Sequence, residues 1–239
     1  MSKAILAAEN FSAGYAKPLF ESANLVLNAG EVVSLVGPNG TGKSTLLKSF
    51  AGLLPPLSGK VNLCGIPLVG ISMRQRSQWI ASVFTQEHVP YGMTVREFVS
   101  LGRIPYSGIF DGRNDSDEAA IDSAIQNVQL ENFVKRRVQT LSDGERSRVF
   151  IARAIASSPK ILLLDEPTAF LDVPNILRLF RFLQKLAEEK QMAILLSTHH
   201  VDYAIRFSQK LIALDGKRKI FEGDAAAVKS AGFLSWAEE

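Results

Sequence analysis

The chain of 239 residues carries 27 Lys and Arg against 24 Asp and Glu, a formal net charge of +3. That imbalance is too mild for the basic face nucleic-acid binding needs, and it is only compatible with work beside an anionic membrane. A lone cysteine, Cys64, excludes an internal disulfide and a thiolate zinc site, and no apolar run approaches the ~18 residues that cross a bilayer.

The length suits one large α/β domain, or one domain with a small insert. The opening Met1-Ser2-Lys3-Ala4-Ile5-Leu6 lacks the apolar core of a signal peptide. Any membrane is then expected to belong to a partner. Residues 4–36 predict three strands, at 5–11, 24–27 and 32–36, with turns at Gly14 and at Asn28-Ala29-Gly30. Tyr15 falls in the first turn, either as a loop anchor or as a flat face for a base ring.

The third strand runs into Gly37-Pro38-Asn39-Gly40-Thr41-Gly42-Lys43-Ser44-Thr45, a G-x-x-x-x-G-K-S pattern, and a helix-forming run follows it. Strand, glycine loop and helix together form the context of a phosphate-binding loop. The glycines let successive N–H groups turn inward, and the helix N-terminus adds a partial positive charge of roughly half a unit. Lys43 suits the β- and γ-phosphates, and the Ser44 hydroxyl suits Mg²⁺.

Beyond the loop, residues 54–59 end the first helix and 60–63 form a strand that makes Cys64 a buried strand thiol. Gly65-Ile66-Pro67 is a turn, 74–79 a brief helix and 80–84 a strand running into Thr85-Gln86-Glu87. Residues 94–138 read as a helical insert. Thr94 and Glu97 have capping-box spacing, residues 111–115 form a polar loop, and Asp115 and Glu118 open a second helix. Ala120, Ile121, Ala124, Ile125 and Val128 line that helix as an apolar stripe. Residues 161–221 return to alternation: apolar strands at 161–164 and 193–197, a helix from Pro174 to Lys190, and a hairpin around Asp215-Gly216. Residues 224–239 read as a docked helix. The pattern predicts a parallel sheet covered on both faces.

Three further stretches carry chemistry. Asp165-Glu166 closes the apolar strand 161–164, where paired carboxylates are costly without a compensating cation. Asp165 is the metal-side acid, directly or through water, and Glu166 the general base for an attacking water. Ser142 and Glu145 bracket Leu141-Ser142-Asp143-Gly144-Glu145 as a second capping box. The exposed helix start there is either only a good cap or an anion site completed by another copy of the chain. His199 ends the strand 193–197 within reach of a terminal phosphate, and His200 could play that part by composition alone.

These motifs, in this order and spread over nearly all of the chain, resemble the ATP-binding subunit of an ABC transporter. The resemblance implies a Walker A loop from Gly37 to Thr45 and a Q-loop at Gln86 that reaches Mg²⁺. It implies a signature at Leu141 to Glu145, Walker B from Ile161 to Glu166, a D-loop at Phe170-Leu171-Asp172 and a switch histidine at His199 rather than His200. It also puts Tyr15 against adenine. Two departures stand out. The usual signature is L-S-G-G-Q; here Asp143 replaces the first glycine and Glu145 the glutamine. Ser142 and Gly144 remain as γ-phosphate donors. Met93-Thr94-Val95-Arg96-Glu97 and Leu101-Gly102-Arg103-Ile104-Pro105-Tyr106 are similar to importers of iron chelates: siderophores, haem and cobalamin.

The expected fold is therefore a P-loop NTPase core with a mixed, mainly parallel sheet, an N-terminal antiparallel β subdomain and an inserted α-helical subdomain. One ATP-binding domain spans residues 1–239, with the core and β subdomain in 1–85 and 159–239 and the Q-loop, insert and signature helix in 86–158. The resemblance implies a homodimer around two Mg-ATP, with Ser142, Asp143, Gly144 and Asp172 acting across the interface. It implies separate permease subunits, indirectly a substrate-binding protein, and a peripheral place on the cytoplasmic side of the inner membrane. A small-molecule kinase, a nucleotide-gated adaptor crippled by Asp143, an ABC ATPase acting on ribosomes or DNA and an exporter half are the rival readings.

Overall fold

The computed structural model describes residues 3–20, 22–85, 89–106, 114–169 and 171–237. In chain order the strands are β1 (Ala4–Ser12), β2 (Ala23–Asn28), β3 (Val32–Val36), β4 (Ser58–Leu63), β5 (Ile66–Pro67), β6 (Ile80–Val83), β7 (Ile161–Leu164), β8 (Ala193–Ser197), β9 (Lys210–Leu214) and β10 (Ile220–Gly223). The helices are α1 (Lys43–Phe50), α2 (Met73–Trp79), α3 (Val95–Ser100), α4 (Asp115–Asn127), α5 (Asp143–Ala156), α6 (Val173–Lys190), α7 (Val201–Phe207) and α8 (Ala225–Ser230). A six-stranded sheet has the order β10-β9-β3-β8-β7-β6, parallel except for the β9–β10 hairpin. A four-stranded antiparallel sheet has the order β2-β1-β4-β5. The expected α/β core, antiparallel subdomain and helical insert are all present.

Successive side chains of a strand point to opposite faces, and here they feed two different cores. Leu162 and Leu164 of β7 and Ile194 and Leu196 of β8 pack with α3, α4, α5 and α6. Ile161, Leu163, Ala193 and Leu195 pack with α1 and the antiparallel sheet. Strands buried on both faces need continuous apolar runs, which is why Ile161-Leu162-Leu163-Leu164 shows no polar alternation. Inside the insert a buried ion pair joins Arg103 Nε to Asp117 Oδ1 at 2.8 Å, and Arg103 Nη1 also donates to the Ala156 carbonyl at the end of α5. The two sheets are joined by Lys210, whose Nζ meets Glu31, Glu222 and the Val26 carbonyl at 3.1–3.3 Å.

Several local expectations change. Helix α1 stops at Phe50, not near Leu54. Gly52, with φ 70°, lets its own N–H reach Ser49 O and the Leu53 N–H reach Lys48 O, a left-handed stop that needs glycine. Ile66–Pro67 is a short strand beside β4, and the turn sits at Cys64-Gly65. Cys64 has φ 52° and is half-buried, so it is a turn residue rather than a buried strand thiol. Helix α4 opens at Asp115 with Glu118 in its first turn, as expected, and Asn114 caps it through a capping box with Asp117. The predicted residues 111–113 of the polar loop lie outside the described residues.

Candidate functional site at the sheet's carboxyl edge

Strands β3, β8, β7 and β6 are adjacent and parallel, so the segments leaving their carboxyl ends gather along one edge. Open α/β sheets bind ligands there. The glycine loop leaves β3, Asp165-Glu166 leave β7 and Thr198-His199 leave β8.

The loop geometry answers its sequence. Gly37 has φ 151° and Gly42 φ 105°. A Cβ on Gly37 would lie 2.6 Å from the Leu214 carbonyl oxygen, and one on Gly42 3.0 Å from Leu19 Cδ1. Only glycine fits both the backbone and the approach. Pro38, Asn39, Gly40 and Thr41 complete the curl, and Thr41 Oγ1 donates to the Pro38 carbonyl at 2.9 Å. Ser44 and Thr45 follow in the first turn of α1, whose N-cap is Gly42 with no side-chain cap and no acid in that turn. Its N-terminal N–H groups therefore have no side-chain cap and no acid from their own first turn, which leaves them suited to an external anion.

Lys43 is only 5% exposed, and its Nζ donates to the carbonyls of Gly37 at 2.8 Å and Pro38 at 3.0 Å. Burial lowers its pKa, against the opposing pull of Glu166 first and Asp165 second.

The carboxylates are organised by a residue whose importance the sequence did not signal. Ser197 is fully buried; its hydroxyl donates to Asp165 Oδ1 at 2.8 Å and accepts the Glu166 N–H at 2.8 Å. A polar residue closing an apolar strand reads as punctuation, and only pairing β7 with β8 reveals its place. Asp165 is 8% exposed. Glu166 has φ 51°, a left-handed backbone that costs a non-glycine residue on the order of 1 kcal/mol or more. The Ser197 hydrogen bond helps hold it. Glu166 Oε1 then lies 2.7 Å from His199 Nε2. His200 instead sets its ring edge-on to Tyr203, 6.1 Å between centroids. Geometry alone therefore separates the two histidines. Gln86 lies outside the described residues.

Tyr15 sits on a small closed loop, with a bridge between Gly14 and Pro18 and the Leu19 N–H donating to Ala13 O. Its ring is 68% exposed and so anchors no packing of this chain. At the signature, Ser142 caps α5, and Glu145 Oε2 accepts from both the Ser142 N–H (2.8 Å) and its hydroxyl (2.9 Å). These bonds hold the Glu145 carboxyl below its usual pKa. Asp143 points to Arg146, 3.7 Å away. A Cβ on Gly144 would meet nothing closer than 3.5 Å, at Leu171 Cδ2. Asp172 caps α6 through the Asn175 N–H at 3.0 Å. None of these bonds reaches the Lys43–Glu166–His199 group. Phe170 lies outside the described residues.

A lysine-bearing glycine loop beside strand-end carboxylates makes the chain a P-loop nucleotide hydrolase by fold. Residues 20–169 match the model of the family described as ABC transporter. The chain is 35% identical over 230 residues to the iron(3+)-hydroxamate import ATP-binding protein of Bacillus subtilis (strain 168), covering 96% of this chain and 86% of that one. It superposes on a structure described as a metal-chelate type ABC transporter in an inward-facing conformation, with TM-score 0.84, 28% identity and coverage of 98% of this chain and 88% of that one. It also superposes on a dimeric ATP-binding cassette in a post-hydrolysis state bound to ADP and Pi, with TM-score 0.77, 27% identity and coverage of 92% and 98%. The chain belongs to the ABC transporter family as an ATP-binding subunit, an ATPase by class. Among the described residues, no helix is long and apolar enough to cross a membrane.

Proposed function

We propose that two copies of this chain close around two ATP molecules and drive a separate membrane permease that imports an iron chelate. The observation that carries this reading is the Ser197-centred arrangement that fixes Asp165 and Glu166 beside Lys43 and within reach of His199. Residues 37–45 cradle the phosphates, and Tyr15 stacks on the adenine. Glu166 takes the proton of the attacking water, and His199 holds the Glu166 carboxylate in line by hydrogen bonding to Oε1.

A hydroxyl and a buried carboxylate are hard oxygen donors of the kind Mg²⁺ takes alongside water and nucleotide phosphates. Among the described residues there is no cluster of three or more His, Cys, Asp or Glu that would hold a metal by itself. This suits an ion bound by few protein ligands. Ser44, Asp165 and Gln86 would hold it. Mg²⁺, when bound, neutralises charge on the β- and γ-phosphates.

Ser142 and Gly144 of one copy complete the phosphate site of the other, with Asp143 and Asp172 at the same interface. Gly144 has room for a side chain within its own chain. A glycine there is explained by close approach of something from outside it. Arg146 lies 3.7 Å from Asp143 and offsets part of its charge, and Glu145 keeps the cap closed on Ser142, so turnover is expected despite the departures from L-S-G-G-Q.

The permease docks near Gln86 and the helical insert, at the cytoplasmic side of the inner membrane, and a substrate-binding protein delivers cargo on the far side. The single-domain division into 1–85, 86–158 and 159–239 belongs to the same reading. Purified chain should release phosphate from ATP with no added acceptor. A requirement for an acceptor would indicate a kinase, and ATP binding without release an adaptor. Loss of iron-chelate uptake on deletion, restored by the intact chain, tests the cargo.

A further inference from the structure

The hairpin between β9 and β10 touches both ends of the proposed nucleotide site. Leu214, the last residue of β9, puts its carbonyl where a Cβ on Gly37 would be. Gly216 follows at the turn, within 3.4 Å of Thr41 Cγ2 for an added Cβ. Asp215 Oδ1 accepts the N–H groups of Lys217 at 2.7 Å and Lys219 at 2.9 Å, which fixes the turn. Arg218 sits at φ 73°, a left-handed backbone uncommon outside glycine. From there its Nη2 reaches across 200 residues of sequence and donates to the Pro18 carbonyl at 3.0 Å. Pro18 bridges to Gly14, so it closes the loop that presents Tyr15.

We infer that Arg218 is a positioning residue that sets nucleotide affinity by clamping the Tyr15 loop at a fixed distance from the phosphate loop. The inference rests on the reading of Tyr15 as the base-stacking residue. One hairpin lies close to Gly37 and Thr41 on the phosphate side and holds Pro18 on the base side. The ring and the phosphate cradle are thereby held at a set separation before a nucleotide arrives. Preset geometry removes an ordering cost that binding would otherwise carry. A left-handed arginine at the tip is consistent with that role, since a glycine would suit the backbone better and could not reach Pro18.

The test uses Arg218→Gly, which keeps the turn conformation and deletes the clamp, and Arg218→Lys, which can still donate to Pro18. Equilibrium titrations with a non-hydrolysable ATP analogue and with inorganic tripolyphosphate separate the base end from the phosphate end. Arg218→Gly should weaken the ATP analogue about 5- to 10-fold, within the range for loss of one ordinary solvent-exposed hydrogen bond. Tripolyphosphate affinity and kcat at saturating ATP should stay within twofold of wild type, and Arg218→Lys should recover most of the loss. In a Tyr15→Ala background, Arg218→Gly should add nothing, because the two act on one contact. Unchanged ATP affinity, equal weakening of tripolyphosphate, or additivity with Tyr15→Ala would each overturn the inference. If Tyr15→Ala weakens ATP and Arg218→Gly does not, the clamp alone is wrong. If Tyr15→Ala itself has no effect, the stacking reading falls and takes the clamp with it.

Discussion

Glu166 Oε1 and His199 Nε2 stand 2.7 Å apart at the ends of adjacent parallel strands, and the backbone of Glu166 is bent into the left-handed region to bring them there. A carboxylate so held has one oxygen committed to the histidine. Glu166→Gln keeps the volume and the Ser197 hydrogen bond to the backbone, but removes the proton acceptor. Phosphate release should fall about 10²- to 10⁴-fold, and an ATP-bound dimer should accumulate by light scattering. A variant that stays monomeric with ATP and turns over normally removes Glu166 from the role of base.

The two histidines are neighbours in sequence and opposites in surroundings. His199→Ala should lower kcat at least tenfold with ATP affinity within about threefold, the pattern of an interaction made in the transition state. His200→Ala loses only an edge contact with Tyr203 and should keep kcat within twofold. Steady-state rates of the two variants decide the matter, and a reversed order would exclude His199.

Ser197→Ala removes one oxygen and leaves two groups short of a partner, the Glu166 N–H and the Asp165 carboxylate. Stranding buried polar groups costs about 1–3 kcal/mol each. The melting temperature should fall by several degrees. The rate should fall as well, because Glu166 loses the bond that supports its backbone. A variant with lower stability and wild-type kcat would mean that Ser197 only supports the fold.

What the sequence made legible follows from where the information is local. The glycine loop and the three-residue caps are written in contiguous residues, and the carboxylate pair is marked by the apolar strand that runs into it, so motif and spacing located residues 37–45, 165–166 and 142–145. The strands β7 and β8 were legible because burial on both faces leaves an unbroken apolar run. Ser197 was not, because its partners lie 31 and 32 residues away on another strand. Lys210, which joins the two sheets through Val26, was hidden for the same reason at a separation of 184. Cys64 was missed by one position, since β4 ends at Leu63 and the turn begins there, and strand ends are less sharply written in composition than strand interiors.

Arg103 and Asp117 meet inside the helical insert at 2.8 Å, nearly removed from solvent, and Asp117 also serves the cap at Asn114. Breaking a buried pair from one side leaves a buried charge and typically costs about 3–5 kcal/mol. Asp117→Ala should therefore lower the denaturant midpoint clearly, more than removal of the exposed Glu9 that pairs with Lys60. Equal effects of the two substitutions would place the Arg103 pair in a hydrated setting.

The cap at Ser142 should be sensitive to acid. The Ser142 N–H holds the folded Glu145 carboxyl below its ordinary pKa, near 4.3 for an unfolded chain. A group whose pKa is depressed by folding adds stability that is fully present above the unfolded value and lost as pH falls through the folded one. Unfolding titrations of wild type and Glu145→Gln should then differ at pH 6 by a margin that shrinks as the pH drops below about 4.3, because a glutamine keeps the box geometry without the charge. Protonation also weakens the hold of Glu145 Oε2 on the Ser142 hydroxyl, the group proposed to reach across to the partner's phosphate. A margin independent of pH would show that the Glu145 carboxylate takes no charged part in the cap.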